Sequence, residues 1–232
     1  QKTAYDIASC LVGSEMCIGD RISYKKCLIY LLKCYTIDLL FRFKEVTVKM
    51  CDTEEFDSKI KRVLITEDEI KAKIAEVGAQ ISHEYEGKPL LLVSILKGAF
   101  VFMADICRAV TVPCEIGFMC AKSYYNGTSS SGIVKITMDL DQDISKYHVI
   151  IVEDIIDTGR TLSDIIKLLK ARDPLSLKVV TLLDKPDRRL VDLKADVSLF
   201  TIPDYFVIGY GLDCAEIYRN LPYIAEYDAV LP

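Results

Sequence analysis

Apolar residues recur along the chain at two periods, and the alternation between them outlines a fold. From Glu67 to Glu86, Ile70, Ile74, Val77 and Ile81 stand at i, i+4, i+7 and i+11, which is one stripe of an α-helix. Leu90 to Leu96 is a short apolar run, the pattern of a strand buried on both faces. Ala99 to Val110 then reads as a helix. Glu115 to Ser123 and Ile133 to Met138 read as strands, and the Gly/Ser/Thr-rich stretch Asn126 to Gly132 between them is predicted to be a mobile loop. His148 to Val152 is a second fully buried strand, followed by a helix from Thr161 to Ala171 and by strands at Leu177 to Leu183 and Val197 to Ile202. Strands alternating with helices imply an α/β domain with a mainly parallel sheet, and such sheets bind ligands at the carboxyl ends of their strands.

The pattern starts only after Met50. Residues 1–49 carry eight basic and five acidic side chains, a net +3, so the remaining residues hold −8 of the chain's total of −5. The same segment contains Cys10, Cys17, Cys27 and Cys34 and no proline. Its most apolar run, Cys27 to Phe41, is broken by Lys33 and Asp38 and falls short of the roughly 20 residues a membrane helix needs. Asp6 and Glu15 are unlike a secretory signal, and five acids are unlike a mitochondrial presequence. Leu11 to Ile18 reads like a translated sequencing adapter. The expectation is that residues 1–49 are upstream read-through outside the catalytic fold, with Met50 as the natural start. A helical extension is the alternative. Residues 50–232 are expected to form one domain, a size suited to 232 residues in all.

Composition narrows the function. The chain is 51% hydrophobic and 27% charged, enough for a sizeable core. The acidic body argues against a nucleic-acid or anionic-membrane binder. Nine cysteines, no C-x-x-C pair and two histidines, His83 and His148, fit neither the usual zinc patterns nor a fully paired disulfide framework. A reduced, cytoplasmic compartment is the simpler expectation.

The chemistry is concentrated in Val149-Ile150-Ile151-Val152-Glu153-Asp154-Ile155-Ile156-Asp157-Thr158-Gly159-Arg160-Thr161-Leu162. A buried strand runs into two acids, a third acid follows, and a small-residue turn opens a helix. Backbone N–H groups of the turn and the positive end of the helix dipole suit a phosphate. Gly159 permits close approach, and the hydroxyls of Thr158 and Thr161 add donors. Glu153 and Asp154 can accept from vicinal hydroxyls or hold a hydrated Mg²⁺. Adjacent strand residues point opposite ways, so Glu153 and Asp154 both reach one ligand only if the strand ends there.

This run resembles the phosphoribosyl pyrophosphate motif of type I phosphoribosyltransferases, and residues from about Glu55 to Tyr223 resemble the hypoxanthine-guanine enzymes of that family. Ser94-Ile95-Leu96-Lys97-Gly98-Ala99 is similar to the family's pyrophosphate loop, which implies a cis peptide at Leu96–Lys97 and pyrophosphate contacts from Leu96, Lys97 and Gly98. Lys122-Ser123-Tyr124, leading into Tyr125 to Gly132, is similar to the closing loop, with Ser123 and Tyr124 as the matching dipeptide. Asp184-Lys185-Pro186 places Lys185 where it would donate to a purine O6. Tyr205 to Asp213 matches the base pocket: Phe206 would stack on the purine, the Val207 backbone would meet its edge, and Asp213 would serve a second Mg²⁺. Arg219 matches the pyrophosphate-contacting arginine.

The resemblance implies a Rossmann-like core with a twisted, mainly parallel sheet flanked by helices, a small hood and a mobile closing loop. It also implies purine salvage: Mg²⁺-dependent transfer of the 5-phosphoribosyl group to hypoxanthine or guanine, with xanthine left open. The phosphoribosyl pyrophosphate site would comprise Glu153, Asp154, Asp157, Thr158, Gly159, Arg160 and Thr161. Glu153 and Asp154 with Asp213 would be the metal ligands, and Asp157 the general acid/base. The implied partners are the sugar pyrophosphate and a 6-oxopurine, in a homodimer or homotetramer. A regulator that senses phosphoribosyl pyrophosphate and binds nucleic acid, or a phosphoribosyltransferase for another purine or a pyrimidine, are the rival readings.

Overall fold

A computed structural model describes residues 58–124 and 133–228. The leader 1–49 and the predicted mobile loop Asn126 to Gly132 lie outside the described residues. A six-stranded sheet in the order β4-β3-β2-β5-β6-β7 forms the core. Its strands are β2 (Leu90–Leu96), β3 (Cys114–Tyr124), β4 (Ile133–Met138), β5 (His148–Ile156), β6 (Ser176–Asp184) and β7 (Val197–Thr201). All neighbours run parallel except β3 and β4, which form an antiparallel edge pair. Helices α1 (Glu67–Glu84), α2 (Phe100–Ala109) and α3 (Arg160–Lys170) flank it.

The apolar run of β2 sits between β3 and β5 and divides its side chains between two cores. Leu90 and Leu92 join Ile150, Val152, Val180 and Leu182 beneath α1 and α2. Leu91, Val93 and Ile95 join Val149, Ile151 and Val179 beneath α3, which contributes Leu162, Ile165 and Leu169. Successive residues of one strand thus bury against helices on opposite faces, which is why the strand reads as apolar throughout. The stripe Ile70, Ile74, Val77 and Ile81 on α1 is buried as its spacing implies.

Helix α1 begins at a capping box. Thr66 Oγ1 accepts from the Glu69 N–H at 3.3 Å, and the Glu69 carboxylate accepts from the Thr66 N–H at 2.8 Å. Glu67, Asp68 and Glu69 in the first turn oppose the positive end of its dipole. On the buried face, Ser82 Oγ donates to the Gly78 carbonyl at 2.7 Å and accepts from the Thr111 N–H at 2.9 Å, tying α1 to the chain leaving α2.

A second, three-stranded antiparallel sheet of β1 (Ile60–Ile65), β9 (Ile224–Tyr227) and β8 (Val207–Ile208) was not marked by the apolar periodicity. Lys61 and Arg62 interrupt β1, and β8 is only two residues long, so neither carries a readable period. Their pairing rests on contacts distant in sequence, such as Ile60 with Tyr227. Among the described residues, no helix is long and apolar enough to cross a membrane.

Gly78 marks the closest approach of α1 and α2. A Cβ there would lie 2.5 Å from the Ala109 Cβ and 2.8 Å from the Ala109 carbonyl. In an open helix, Gly→Ala stabilises by about 1 kcal/mol. Gly78→Ala is expected to do the reverse, lowering stability by roughly 1–3 kcal/mol through overpacking. Urea unfolding followed by far-UV circular dichroism checks this, and a raised midpoint would disprove the close approach.

Candidate active site

The parallel register aligns the carboxyl ends of β2, β5 and β6 along one edge of the sheet. There a cleft of about 280 Å³ is lined by Leu96, Gly98, Glu153, Asp154, Asp157, Thr158, Gly159 and Thr161 among others. One expectation is corrected here. The strand does not end at Val152: β5 continues to Ile156, pairing Glu153 with Thr181 and Ile155 with Leu183. Both acids nevertheless line the cleft. The sequence marks the strand's end only where the apolar run stops, whereas the ladder with β6 carries it four residues further.

The turn from β5 into α3 is built by Gly159, whose φ of +77° is one that L side chains rarely adopt. As the residue preceding the helix, Gly159 offers no side-chain cap to the first-turn N–H groups. Arg160 N–H makes only a 3.5 Å contact with Thr158 Oγ1. A helix start of this kind suits an anion. The Arg160 side chain itself is exposed and does not line the cleft.

Two adjacent carboxylates stand at the floor. Glu153 Oε2 is buried and has no hydrogen-bond partner. Burial, followed by the neighbouring Asp154, raises the Glu153 pKa well above the usual carboxylate range. Asp154 is pushed up to about 6, first by burial and then by Asp213; backbone N–H groups, including Ile155 at 2.9 Å, and the charge of Arg219 act in the opposite direction. Two acids held out of water with so little compensation are costly unless a ligand completes their bonding.

Around them the loops interlock. A Cβ on Gly98 would fall 1.6 Å from Asp154 Oδ2, so the carboxylate occupies the space a side chain would need. The Leu96–Lys97 peptide is cis, as the resemblance implied. A Cβ on Gly211, where φ is +100°, would sit 2.1 Å from the Gly98 carbonyl oxygen, which clamps the 209–219 loop against the 96–99 turn. The buried Tyr210 hydroxyl donates to Asp105, tying the 209–219 loop to α2, the helix that follows the 96–99 turn. Within the 209–219 loop, Arg219 Nη2 contacts Asp213 Oδ1 at 2.8 Å and Glu216 Oε2 at 3.1 Å, and Nη1 donates to the Gly211 carbonyl at 2.8 Å. Lys97 Nζ meets both Glu216 oxygens at 3.1 Å.

The third side of the site follows β6. Lys185 is 7% exposed, so it is no surface lysine. Its ammonium donates to the Tyr205 carbonyl and lies 3.8 Å from Asp204. Burial lowers its pKa, against the opposing pull of Asp157 and Asp204. Phe206 is 38% exposed and its ring is tilted 48° to that of Tyr227 with centroids 6.2 Å apart, so it is not a core aromatic. Val207 is buried in β8.

Two residues here escaped the sequence reading. Arg188 Nε pairs with Asp157 Oδ1 at 2.8 Å while its Nη1 reaches Asp204 at 3.2 Å. Arg189 donates to the Asp157 carbonyl at 3.1 Å and pairs with Asp184. The available signal was the short 3₁₀ turn Pro186–Arg188, in which residues three apart eclipse and so place Lys185 and Arg188 on one side.

A family model described as the phosphoribosyl transferase domain matches residues 54–215. The chain belongs to the phosphoribosyltransferase family. It is 49% identical over 168 residues to the hypoxanthine-guanine phosphoribosyltransferase of Streptococcus pneumoniae, covering 72% of this chain and 93% of that one. It is 53% identical over 166 residues to the hypoxanthine phosphoribosyltransferase of Salmonella typhimurium, covering 71% and 93%. The crystal structure of a hypoxanthine phosphoribosyltransferase from Staphylococcus aureus superposes with a TM-score of 0.72 at 46% identity, covering 77% of this chain and 96% of that one. The fold is that of the type I phosphoribosyltransferases, and the three-stranded sheet β1-β9-β8 is its hood. The chain is an enzyme of the hypoxanthine-guanine branch.

Among the described residues of this phosphoribosyltransferase, no three His, Cys, Asp or Glu side chains converge as a ready-made metal cage. Asp213 is engaged by Arg219 and by the Glu216 N–H at 2.9 Å, and it does not line the cleft with Glu153 and Asp154. Ser123 and Tyr124 end β3, and the segment they lead into lies outside the described residues.

The raised acid pKa values set a pH dependence. A carboxyl whose folded pKa exceeds its unfolded value near 3.9 stabilises the fold at low pH and loses that contribution as pH rises through the folded value, here about 6. Asp154→Asn is therefore expected to be more stable than the parent at pH 7.5, by on the order of 1–3 kcal/mol. The difference should vanish near pH 4. Thermal unfolding across pH 4–8 reads this out, and a less stable variant at pH 7.5 would contradict the burial cost.

Proposed function

We propose that this phosphoribosyltransferase serves purine salvage, transferring the 5-phosphoribosyl group from phosphoribosyl pyrophosphate to hypoxanthine or guanine. The products are the nucleoside 5′-monophosphate and pyrophosphate. The observation that carries this reading is the meeting, in one cleft, of two buried acids, an uncapped helix start and the 96–98 turn. The names of the relatives support the choice of base.

In this reading the turn from Asp157 to Thr161 holds the 5′-phosphate through backbone N–H groups and the Thr158 and Thr161 hydroxyls, with Arg160 adding charge from outside. Glu153 and Asp154 accept from the ribose hydroxyls. Leu96, Lys97 and Gly98, with Arg219, receive the pyrophosphate. Phe206 stacks on the purine, an arrangement its exposure leaves room for. The Val207 backbone meets the base edge. Lys185 turns its ammonium from the Tyr205 carbonyl to the purine O6, selecting oxo over amino purines. Ser123 and Tyr124 belong to the loop that closes over the cleft and excludes water. Bond breaking at the sugar's anomeric carbon leaves positive charge on the ring, so positioning and electrostatics do most of the work.

Asp157 is the proposed general acid/base for the purine N7 proton. It stands 2.8 Å from the Arg188 guanidinium, which steadies a carboxylate on an otherwise open turn.

Mg²⁺ fits the donor set. Glu153 has an unpartnered buried oxygen, and Mg²⁺ is commonly held by one or two carboxylates plus substrate oxygens rather than by a protein cage. Glu153 and Asp154 would hold one ion, and Asp213 would serve a second through lone pairs its protein bonds leave over. The metal's contribution would be neutralising the departing pyrophosphate. The proposal extends to a homodimer or homotetramer working in the cytoplasm.

Pyrophosphate release with phosphoribosyl pyrophosphate, Mg²⁺ and each of hypoxanthine, guanine, xanthine and adenine tests the reading. Turnover is expected with the first two; absence of turnover with every oxopurine would refute it. Asp157→Asn is expected to lower kcat by roughly 10²–10⁴-fold while sparing binding of the sugar pyrophosphate, and unchanged turnover would remove Asp157 from the chemistry. Lys185→Ala is expected to raise the KM for hypoxanthine or erode discrimination against adenine, and an unaltered base profile would dismiss its role.

A further inference from the structure

The two cations nearest the proposed pyrophosphate site are already occupied. Lys97 Nζ lies 3.1 Å from each oxygen of Glu216, and the same carboxylate meets Arg219 Nη2 at 3.1 Å. Glu216 is therefore a bridging anion between a lysine on one loop and an arginine on the other. Its position is not incidental to the chain's path. Ala215, Glu216 and Tyr218 all have positive φ, of +52°, +69° and +73°, and the Glu216 N–H donates to Asp213 Oδ2 at 2.9 Å. Non-glycine residues in this region cost energy and persist where the surroundings over-determine them. Arg219 Nε, meanwhile, is buried without a hydrogen-bond partner, so the guanidinium is not saturated by the protein.

We propose that Glu216 is a resident counter-anion of the pyrophosphate site, displaced when a diphosphate binds and setting a threshold that anions unable to meet both cations at once fail to pass. The inference rests on the assignment of Lys97 and Arg219 to the pyrophosphate. A carboxylate equals chloride in charge, and orthophosphate offers one phosphoryl group to two cations that stand on different loops. A magnesium-bound diphosphate has a net charge similar to orthophosphate's but presents acceptor oxygens on two linked phosphoryl groups, so it meets both cations at once and outcompetes the carboxylate. Because the Lys97 and Glu216 side chains are 66% and 64% exposed, their pairing adds little to stability.

A residue that merely supports the loop and a residue that competes with the ligand give opposite signs on removal. Glu216→Gln keeps an oxygen acceptor of the same reach and discards the charge. Calorimetric titration of the full chain with magnesium pyrophosphate, and separately with orthophosphate, reads the difference at fixed low salt. The variant is expected to bind pyrophosphate roughly two- to fivefold more tightly than the parent, the size of effect exposed ion pairs allow. It is also expected to show orthophosphate binding that the parent lacks, and in the transfer reaction to become more sensitive to inhibition by pyrophosphate. Glu216→Ala, tested alongside with thermal unfolding as the check of folding, should move in the same direction. Equal or weaker pyrophosphate binding in both variants, with the parent binding normally, overturns the role of Glu216 alone. If the parent itself binds no pyrophosphate, the assignment of Lys97 and Arg219 falls, and this inference with it.

Discussion

Two neighbouring carboxylates, Glu153 and Asp154, are kept inside the protein where β5 approaches its end, and the cost of keeping them there shapes the site. Both residues are half-buried and line the cleft, and Glu153 Oε2 is shut off from water. Among the described residues no lysine or arginine forms an ion pair with either, and one oxygen of Glu153 has no hydrogen-bond partner. The carboxyl groups respond by holding their protons more tightly than free acids do. A ligand that brings hydroxyl donors and a cation relieves this penalty, so the same feature that weakens the empty protein strengthens its complex. Stability and function pull against each other at these two residues.

The surrounding architecture follows from making room for that pair. Gly98 has no side chain because Asp154 fills its place, and Gly211 has none because the Gly98 carbonyl fills its place. Three segments far apart in sequence are thus stacked with backbone against backbone and carboxylate. The Tyr210–Asp105 hydrogen bond and the Arg219 contacts hold that stack from its outer side. The base side is organised differently, by alternating charge: Lys185 and Arg188 from one 3₁₀ turn face Asp157 and Asp204.

Much of this was legible in the chain. The stripe from Ile70 to Ile81 and the apolar runs of β2 and β5 gave the core because burial alone decides such segments. The Glu153 to Thr161 run was readable because three acids and a glycine turn directly after a buried strand have few structural uses. What escaped is equally physical. The hood pairs Ile60 with Tyr227, and no local period records a partner so distant. The continuation of β5 through Glu153 and Asp154 is dictated by the ladder to Thr181 and Leu183, whereas local polarity argues for an end. Arg188 and Glu216 were passed over because single charged residues in polar loops look alike until the fold shows what they face.

The central claim is that the buried acid pair is a binding element which the ligand-free fold tolerates at a cost. It is tested most directly by calorimetric titration of the folded full-length chain with phosphoribosyl pyrophosphate and Mg²⁺, beside the double variant Glu153→Gln, Asp154→Asn. The expected result is one-to-one binding in the parent and none in the double variant, although the variant unfolds at a temperature equal to or above the parent's. Undiminished binding by the variant, or none by the parent, would contradict the account.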